Sequence, residues 1–435
     1  MTAVAPSIRR STDDRDDDDA RALPDVDRRL ALFRETGDPA ALWPGLTEPA
    51  RVAAARELGR VTAAVLEARQ PVDIDPTNAH AAYALAIAGH TSGMGPVIGR
   101  WIETGVVRAR DDAAAAFARH VLHARRRSAR IEQRVSAPID ALVARGIVPV
   151  VLKGMHTSRA YFEEPGVRRM SDVDLLIPPD RTADAEAALA SIGFRPEGAP
   201  LRPYKRDWLG PGVNPHLASI ELAHEQSRWF VELHASLDRV FHPGAVARLD
   251  LLRSQVERFE LAGRSLAALA PAPLLIALAC HCSQELDGVR LLRLYEIVRV
   301  AREARRTQRL DWDELAGMLR RTGAARYTFP AFSLVNALAP NTIDERVISL
   351  GRDASTWASR HTVERLVPAG GSLDERGVIR QVMWTRGPVA IGQRLLRNLW
   401  PASFARPADV APGWRVRMAR FRRGVMSLRA PDERC

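Results

Sequence analysis

Asp172 and Asp174 open a short apolar run that ends at Ile177. In an extended strand, residues two apart face the same way, so both carboxylates project together from Cα atoms about 7 Å apart. Two carboxylates so placed suit Mg²⁺ or Mn²⁺, which completes its octahedron with substrate phosphates. Glu232, inside the run Trp229–Ala235, is the candidate third acid. Three acids on adjacent strands would hold one or two metals, neutralise a triphosphate and orient an in-line attack on phosphorus. The spacing alone says little, because Asp25/Asp27, Asp73/Asp75 and Asp311/Asp313 share it and suit surface turns or helix starts. The setting of Asp172 and Asp174 is distinctive: a strand, a turn at Gly154, a helix, then the acid pair opening another strand.

Several polar residues accompany this group. Lys153, beside Gly154, is one of only two lysines in a chain with 63 basic residues. A compact ammonium there suits a phosphate, a task that arginine performs with different geometry; the plain alternative is a strand-end lysine. Arg168 is either a bidentate phosphate ligand or a partner of Glu163 or Glu164. His234 follows Glu232 by two, so it shares that face and either orients the acid, contacts substrate or serves as a structural hydrogen-bonder. His281, in Cys280-His281-Cys282, looks like a metal ligand, but on a helix i and i+2 face apart and no second Cys/His cluster exists. Buried cysteines with a packing histidine fit better. His224-Glu225 lacks the second histidine of a zinc protease. Gly93 to Gly99 resembles a phosphate loop only superficially, since no strand precedes it and Pro96 interrupts the amides.

These residues need elements to hold them. Ile147–Leu152, Val173–Ile177 and Trp229–Ala235 read as strands, and Asp180–Ile192 as a helix stopped by Gly193. The mixture predicts an α/β or α+β unit over 139–243. Residues 26–138 read as helical, and so does 244–345, with helices over Ala272–Cys282, Leu291–Arg305 and Asp313–Arg321. Residues 1–25 carry the run Asp13–Asp19 and read as a disordered acidic tail.

The net charge is +11. Arg376–Arg429 holds twelve arginines against the single acid Asp409, so the excess sits in a C-terminal extension over 346–435. There Trp414, Met418, Phe421, Val425 and Leu428 form one helical stripe. Docking on the protein body is the expectation; an acidic partner or a membrane surface are the alternatives, and thin aromatic interleaving argues against nucleic acid. The longest apolar run, Ser265–Cys280, contains Pro271 and Pro273 and is too short to span a bilayer. The N-terminus shows no apolar signal segment, and three cysteines make no disulfide framework, which predicts a cytoplasmic protein.

Leu152-Lys153-Gly154, Gly166-Val167-Arg168, Ser171-Asp172-Val173-Asp174-Leu175-Leu176-Ile177 and Val231-Glu232-Leu233-His234 together resemble the motifs of the bacterial uncharacterised nucleotidyltransferase family. That family lies within the polymerase-β-like nucleotidyltransferase superfamily. The resemblance runs over roughly residues 80–340, including Leu274–His281, Leu291–Ile297 and Leu310–Leu315. It implies an α+β fold, with a small mixed sheet embedded between mainly helical regions. It also implies Asp172, Asp174 and Glu232 as metal ligands or base, and Lys153, Gly154, Arg168 and Ser171 around the nucleotide. His281 and Glu296 fall in the helical region expected over the cleft and are weaker substrate-side candidates, with His234. The implied reaction is Mg²⁺-dependent transfer of a nucleoside monophosphate from an NTP, ATP foremost, to a hydroxyl or amine of an unidentified small-molecule or peptide acceptor. A non-catalytic NTP-binding scaffold or sensor, and more remotely a basic nucleic-acid-binding protein, are the alternatives. Two departures from the superfamily are Met155, where a small residue usually follows the glycine, and Glu232 in place of an aspartate.

Overall fold

The computed structural model describes residues 28–33, 41–67, 70–198, 204–213, 228–242, 244–261, 263–284, 286, 290–364, 383, 384, 387, 389, 391 and 392. The acidic tail and the stripe Trp414–Leu428 lie outside them. The N-terminal region comprises α1 (Glu48–Glu67), β1 (Val72–Ile74), α2 (Ala79–Ser92), α3 (Gly95–Glu103), β2 (Val107–Ala109) and the long α4 (Asp111–Val143). The central region follows with β3 (Val150–Val151), α5 (Met155–Ala160), β4 (Asp172–Leu176), α6 (Thr182–Ser191), β5 (Arg195–Pro196), β6 (Lys205–Leu209) and β7 (Phe230–His234). Then come β8 (Arg239–His242), β9 (Ala245–Ala247), β10 (Val256–Leu261) and β11 (Arg264–Leu269). Six helices close the order: α7 (Pro271–Gln284), α8 (Leu291–Arg306), α9 (Trp312–Thr322), α10 (Ala325–Leu338), α11 (Glu345–Ala354) and α12 (Trp357–Glu364).

Seven strands form one mixed sheet in the order β10-β11-β3-β4-β7-β6-β5. The α+β architecture with helical regions on both sides is as the sequence implies. At its centre β4 and β7 run parallel, with Asp174 opposite Glu232 and Leu176 opposite His234. β6 is antiparallel to β7 and sets Lys205 opposite His234 and Asp207 opposite Glu232. Strand alternation does the sorting. Val173, Leu175, Val231 and Leu233 share one face and are buried with Ile131, Val135 and Leu142 of α4 and Ala185 and Leu189 of α6. The acids and His234 project from the other face.

The sheet is larger than the sequence suggests. Pro149 removes a ladder donor, so the first predicted strand shrinks to two residues. β5 and β6 lie in a Pro- and Gly-rich stretch without clear alternation. Beyond residue 243 the chain is not simply helical. It adds the hairpin β10–β11, whose inner strand pairs with β3. The apolar run Ser265–Cys280 is therefore divided, part strand and part helix, with the break at Pro271. The glycines at 95 and 99 serve packing. A Cβ on Gly99 would stand 2.5 Å from Phe117 O and 2.4 Å from Val121 Cγ2, so the glycine allows α3 to lie directly on α4.

Candidate active site

The polar face of β4 and β7 holds the densest group of chemically active side chains. Asp174, Glu232 and His234 are all buried, and each offers a ligand atom within 4.8 Å of the others. His234 Nε2 lies 3.0 Å from Asp174 Oδ1 and 3.4 Å from Glu232 Oε2. Asp172, half-buried one pleat away, stands outside this trio but on the same face.

Both lysines of the chain bind this group. Lys153 Nζ is 2.7 Å from Asp174 Oδ2 and 3.9 Å from Asp172 Oδ2. Lys205 Nζ is 2.7 Å from Glu232 Oε2 and 3.5 Å from Asp207 Oδ1. Lys205 went unnoticed in the sequence, although its rarity was the signal that singled out Lys153. Burial alone would raise the Asp174 carboxyl, but Lys153 and His234 outweigh it and hold it well below the usual carboxylate range. Glu232 moves the other way: burial and the neighbouring Asp174 charge push it up, against the His234 hydrogen bond. Burial would lower the Lys153 ammonium, yet Asp172, Asp174 and Glu232 raise it.

The surroundings fix these positions. Gly154 has φ +65°, a conformation that favours glycine, and turns the chain from β3 into α5. A Cβ there would meet Arg168 Nη1 at 3.4 Å. Arg168 is buried and forks onto Glu296 of α8, with Nε–Oε1 at 2.8 Å and Nη2–Oε2 at 3.1 Å. Thr157 of α5 also donates to Glu296. Arg168 thus pairs with neither Glu163 nor Glu164, and Glu164 is taken by Arg125. Arg127 of α4, also unforeseen, donates to Met170 O and Arg228 O, each at 2.7 Å. It ties down the residues just before both acid-bearing strands.

The remaining candidates divide. Ser171 is exposed, and its carbonyl accepts from Phe230 N at 3.3 Å. Cys280 and Cys282 are buried and form no disulfide with one another, as expected of packing cysteines. His281 is half-buried between them in sequence, and burial together with Arg293, Lys153 and Arg239 holds it well below its ordinary range, against Asp174. The helix separates it from the two thiols, so no Cys-His-Cys metal site forms.

The donor set fits a divalent ion. Two carboxylates and an imidazole converge, and the two ammonium groups at their edges offset the negative charge. The sheet face gathers the carboxylates, and Lys153 and Lys205 lie at their edges. Residues 77–340 match a family model described as an uncharacterised nucleotidyltransferase. No curated protein and no solved structure matches the chain.

Proposed function

The chain belongs to the uncharacterised nucleotidyltransferase family, and on that premise we propose that it moves a nucleoside monophosphate from an NTP to a hydroxyl or amine of an acceptor. The observation that carries this reading is the convergence of Asp174, Glu232 and His234 within 4.8 Å, beside Lys153 and the Gly154 turn. Asp174, Glu232 and His234, with Asp172 adjoining, would hold Mg²⁺ or Mn²⁺. The ion supplies charge neutralisation of the phosphates and polarisation of the α-phosphorus. Lys153 and Lys205 exchange their carboxylate partners for phosphate oxygens when the triphosphate enters. The acceptor oxygen or nitrogen forms a bond to the α-phosphorus, the bond to the β-phosphate oxygen breaks, and pyrophosphate leaves. The proton lost by the acceptor passes to a carboxylate of the cluster not engaged by the metal, or to solvent. ATP is the first nucleotide to try.

One observation favours a second reading, a scaffold that binds NTP without turnover: both lysines already neutralise cluster acids. Titration of each NTP with and without divalent metal, in wild type and Asp174→Asn, tests the shared site. Metal-dependent affinity lost in the variant supports it, and equal affinity in both rejects it. Pyrophosphate release then separates enzyme from scaffold.

A further inference from the structure

Strand register extends the acid cluster into a row. Asp174 of β4 stands opposite Glu232 of β7, and Glu232 stands opposite Asp207 of β6. The pairing of β5 with β6 sets Arg195 opposite Leu209 and Pro196 opposite Trp208. The next residue, Glu197, therefore falls opposite Asp207, and its N–H donates to Asp207 O at 2.9 Å. Directly opposed residues share a face of the sheet. Four carboxylates thus form one line across the sheet, with Asp174 and Glu232 buried and Asp207 and Glu197 half-buried. Like charges directly opposite one another destabilise a sheet, so each neighbouring pair in this row is a cost to folding. The compensation is one-sided. Lys153 holds Asp174 at 2.7 Å, and Lys205 holds Glu232 at 2.7 Å but meets Asp207 only at 3.5 Å. Among the described residues Glu197 has no cationic partner.

The strand order β3-β4-β7-β6-β5 gives the row a direction. Lys153 and the Gly154 turn follow β3 and flank the inner acids on one side. Asp207 and Glu197 flank them on the other, toward the edge strand β5. Phosphoryl transfer sets the entering and leaving groups on opposite sides of phosphorus. With the triphosphate tail at the Gly154 turn, the acceptor approaches from the β6–β5 flank. Lys205, drawn to phosphate, then vacates a place beside Asp207 that already accommodates an alkylammonium. We propose that Asp207 and Glu197 form the acceptor-binding flank of the site and select an acceptor that carries a protonated amine beside the group attacking phosphorus. The acceptor's ammonium replaces that of Lys205 against Asp207, and Glu197 pairs with it from the sheet edge. This rests on the nucleotidyl-transfer reading and deepens it by naming the acceptor class, a cationic small molecule or peptide.

The test uses the full chain, α-phosphate-labelled NTP, Mg²⁺ and a cell extract passed beforehand over a cation or an anion exchanger. Wild type labels a product with untreated extract, keeps it after anion exchange and loses it after cation exchange. The double variant Asp207→Asn/Glu197→Gln needs about tenfold more extract for half-maximal labelling. Its calorimetric affinity for NTP with metal stays within about twofold of wild type, which a general loss of structure would not leave intact. Its melting temperature equals or exceeds that of wild type, because like-charge pairs are relieved. Labelling that survives cation exchange overturns the proposal. So does an unshifted half-maximal extract concentration, or a lower melting temperature, in the double variant. The two readings fail differently: a wild type that labels nothing with untreated extract defeats nucleotidyl transfer and the acceptor flank with it, whereas an active wild type matched by the double variant defeats the flank alone.

Discussion

At the residue scale, the acid cluster is a charge-compensated group in which Lys153 and Lys205 pair with Asp174 and Glu232, and on the proposed reading a metal and phosphates compete with those pairs. That arrangement sets the sign of two measurable effects. Replacing Lys153 by Met frees Asp174 from its competitor, so divalent-metal affinity rises in calorimetry while NTP affinity falls; a fall in both would show that Lys153 supports the metal site directly. His234 adds an imidazole to an otherwise oxygen-donor set, and imidazole favours Mn²⁺ over Mg²⁺. Mn²⁺ should therefore bind more tightly than Mg²⁺, by about tenfold or 1.4 kcal/mol. His234→Gln should narrow that gap, as read from the Mn²⁺ electron paramagnetic resonance signal. Equal Mn²⁺ preference in the variant would remove His234 from the ligand set. Much of this was legible in the sequence. Strand alternation put Asp172 with Asp174, and Glu232 with His234, on shared faces, and the motifs around them, not the spacing, marked the two pairs as belonging together. Lys205 was not legible: it reaches Glu232 through the register of β6 on β7, and no local pattern encodes that pairing.

Elements turn these residues into a site through close contacts that leave little tolerance. Gly99→Ala would drive a methyl into Phe117 O and Val121 on α4, and should cost about 2–3 kcal/mol in denaturant unfolding. A near-neutral result would mean that α3 can slide on α4. On the same interface His120 is buried and donates from Nε2 to Ala86 O at 3.1 Å. Burial pushes it down to about 4, with Arg169, His123 and Arg119 adding to the effect and the Ala86 bond opposing it. The unfolded chain therefore takes up a proton near pH 6.5 that the folded chain refuses until about pH 4. The stabilisation is complete above pH 6.5 and is lost as pH falls through this window, by about 3 kcal/mol at its lower end. Melting temperature against pH should be flatter over that range in His120→Gln, which keeps a donor for Ala86. An unchanged slope would assign the acid sensitivity elsewhere. The long amphipathic helices were readable because their periodicity persists for many turns. The hairpin β10–β11 was not: β10 is an edge strand with half its side chains in water, and β11 runs into α7 as one apolar stretch.

Across the whole molecule, the helical region after the sheet is joined to the Gly154 turn by a buried bridge. Glu296 of α8 holds Arg168 and Thr157 together behind Gly154. Removing one partner leaves the other charge desolvated, so Glu296→Ala should cost about 3–5 kcal/mol. The double change Arg168→Met with Glu296→Met should recover most of that stability, yet weaken NTP binding if the bridge sets the turn. Recovery of both would make the pair purely structural. The sequence marked Arg168 and Glu296 separately, and a separation of 128 positions hides their contact. No described helix is long and apolar enough to cross a membrane. The central claim concerns the acid cluster as a nucleotidyl-transfer site. Its most direct test incubates the protein with α-phosphate-labelled NTPs, divalent metal and a cell extract as the source of acceptor. Label should enter a new product with matching release of pyrophosphate, and folded Asp172→Asn/Asp174→Asn should give none. Equal labelling by that variant, or label returned only as unchanged NTP by the wild type, would contradict the account.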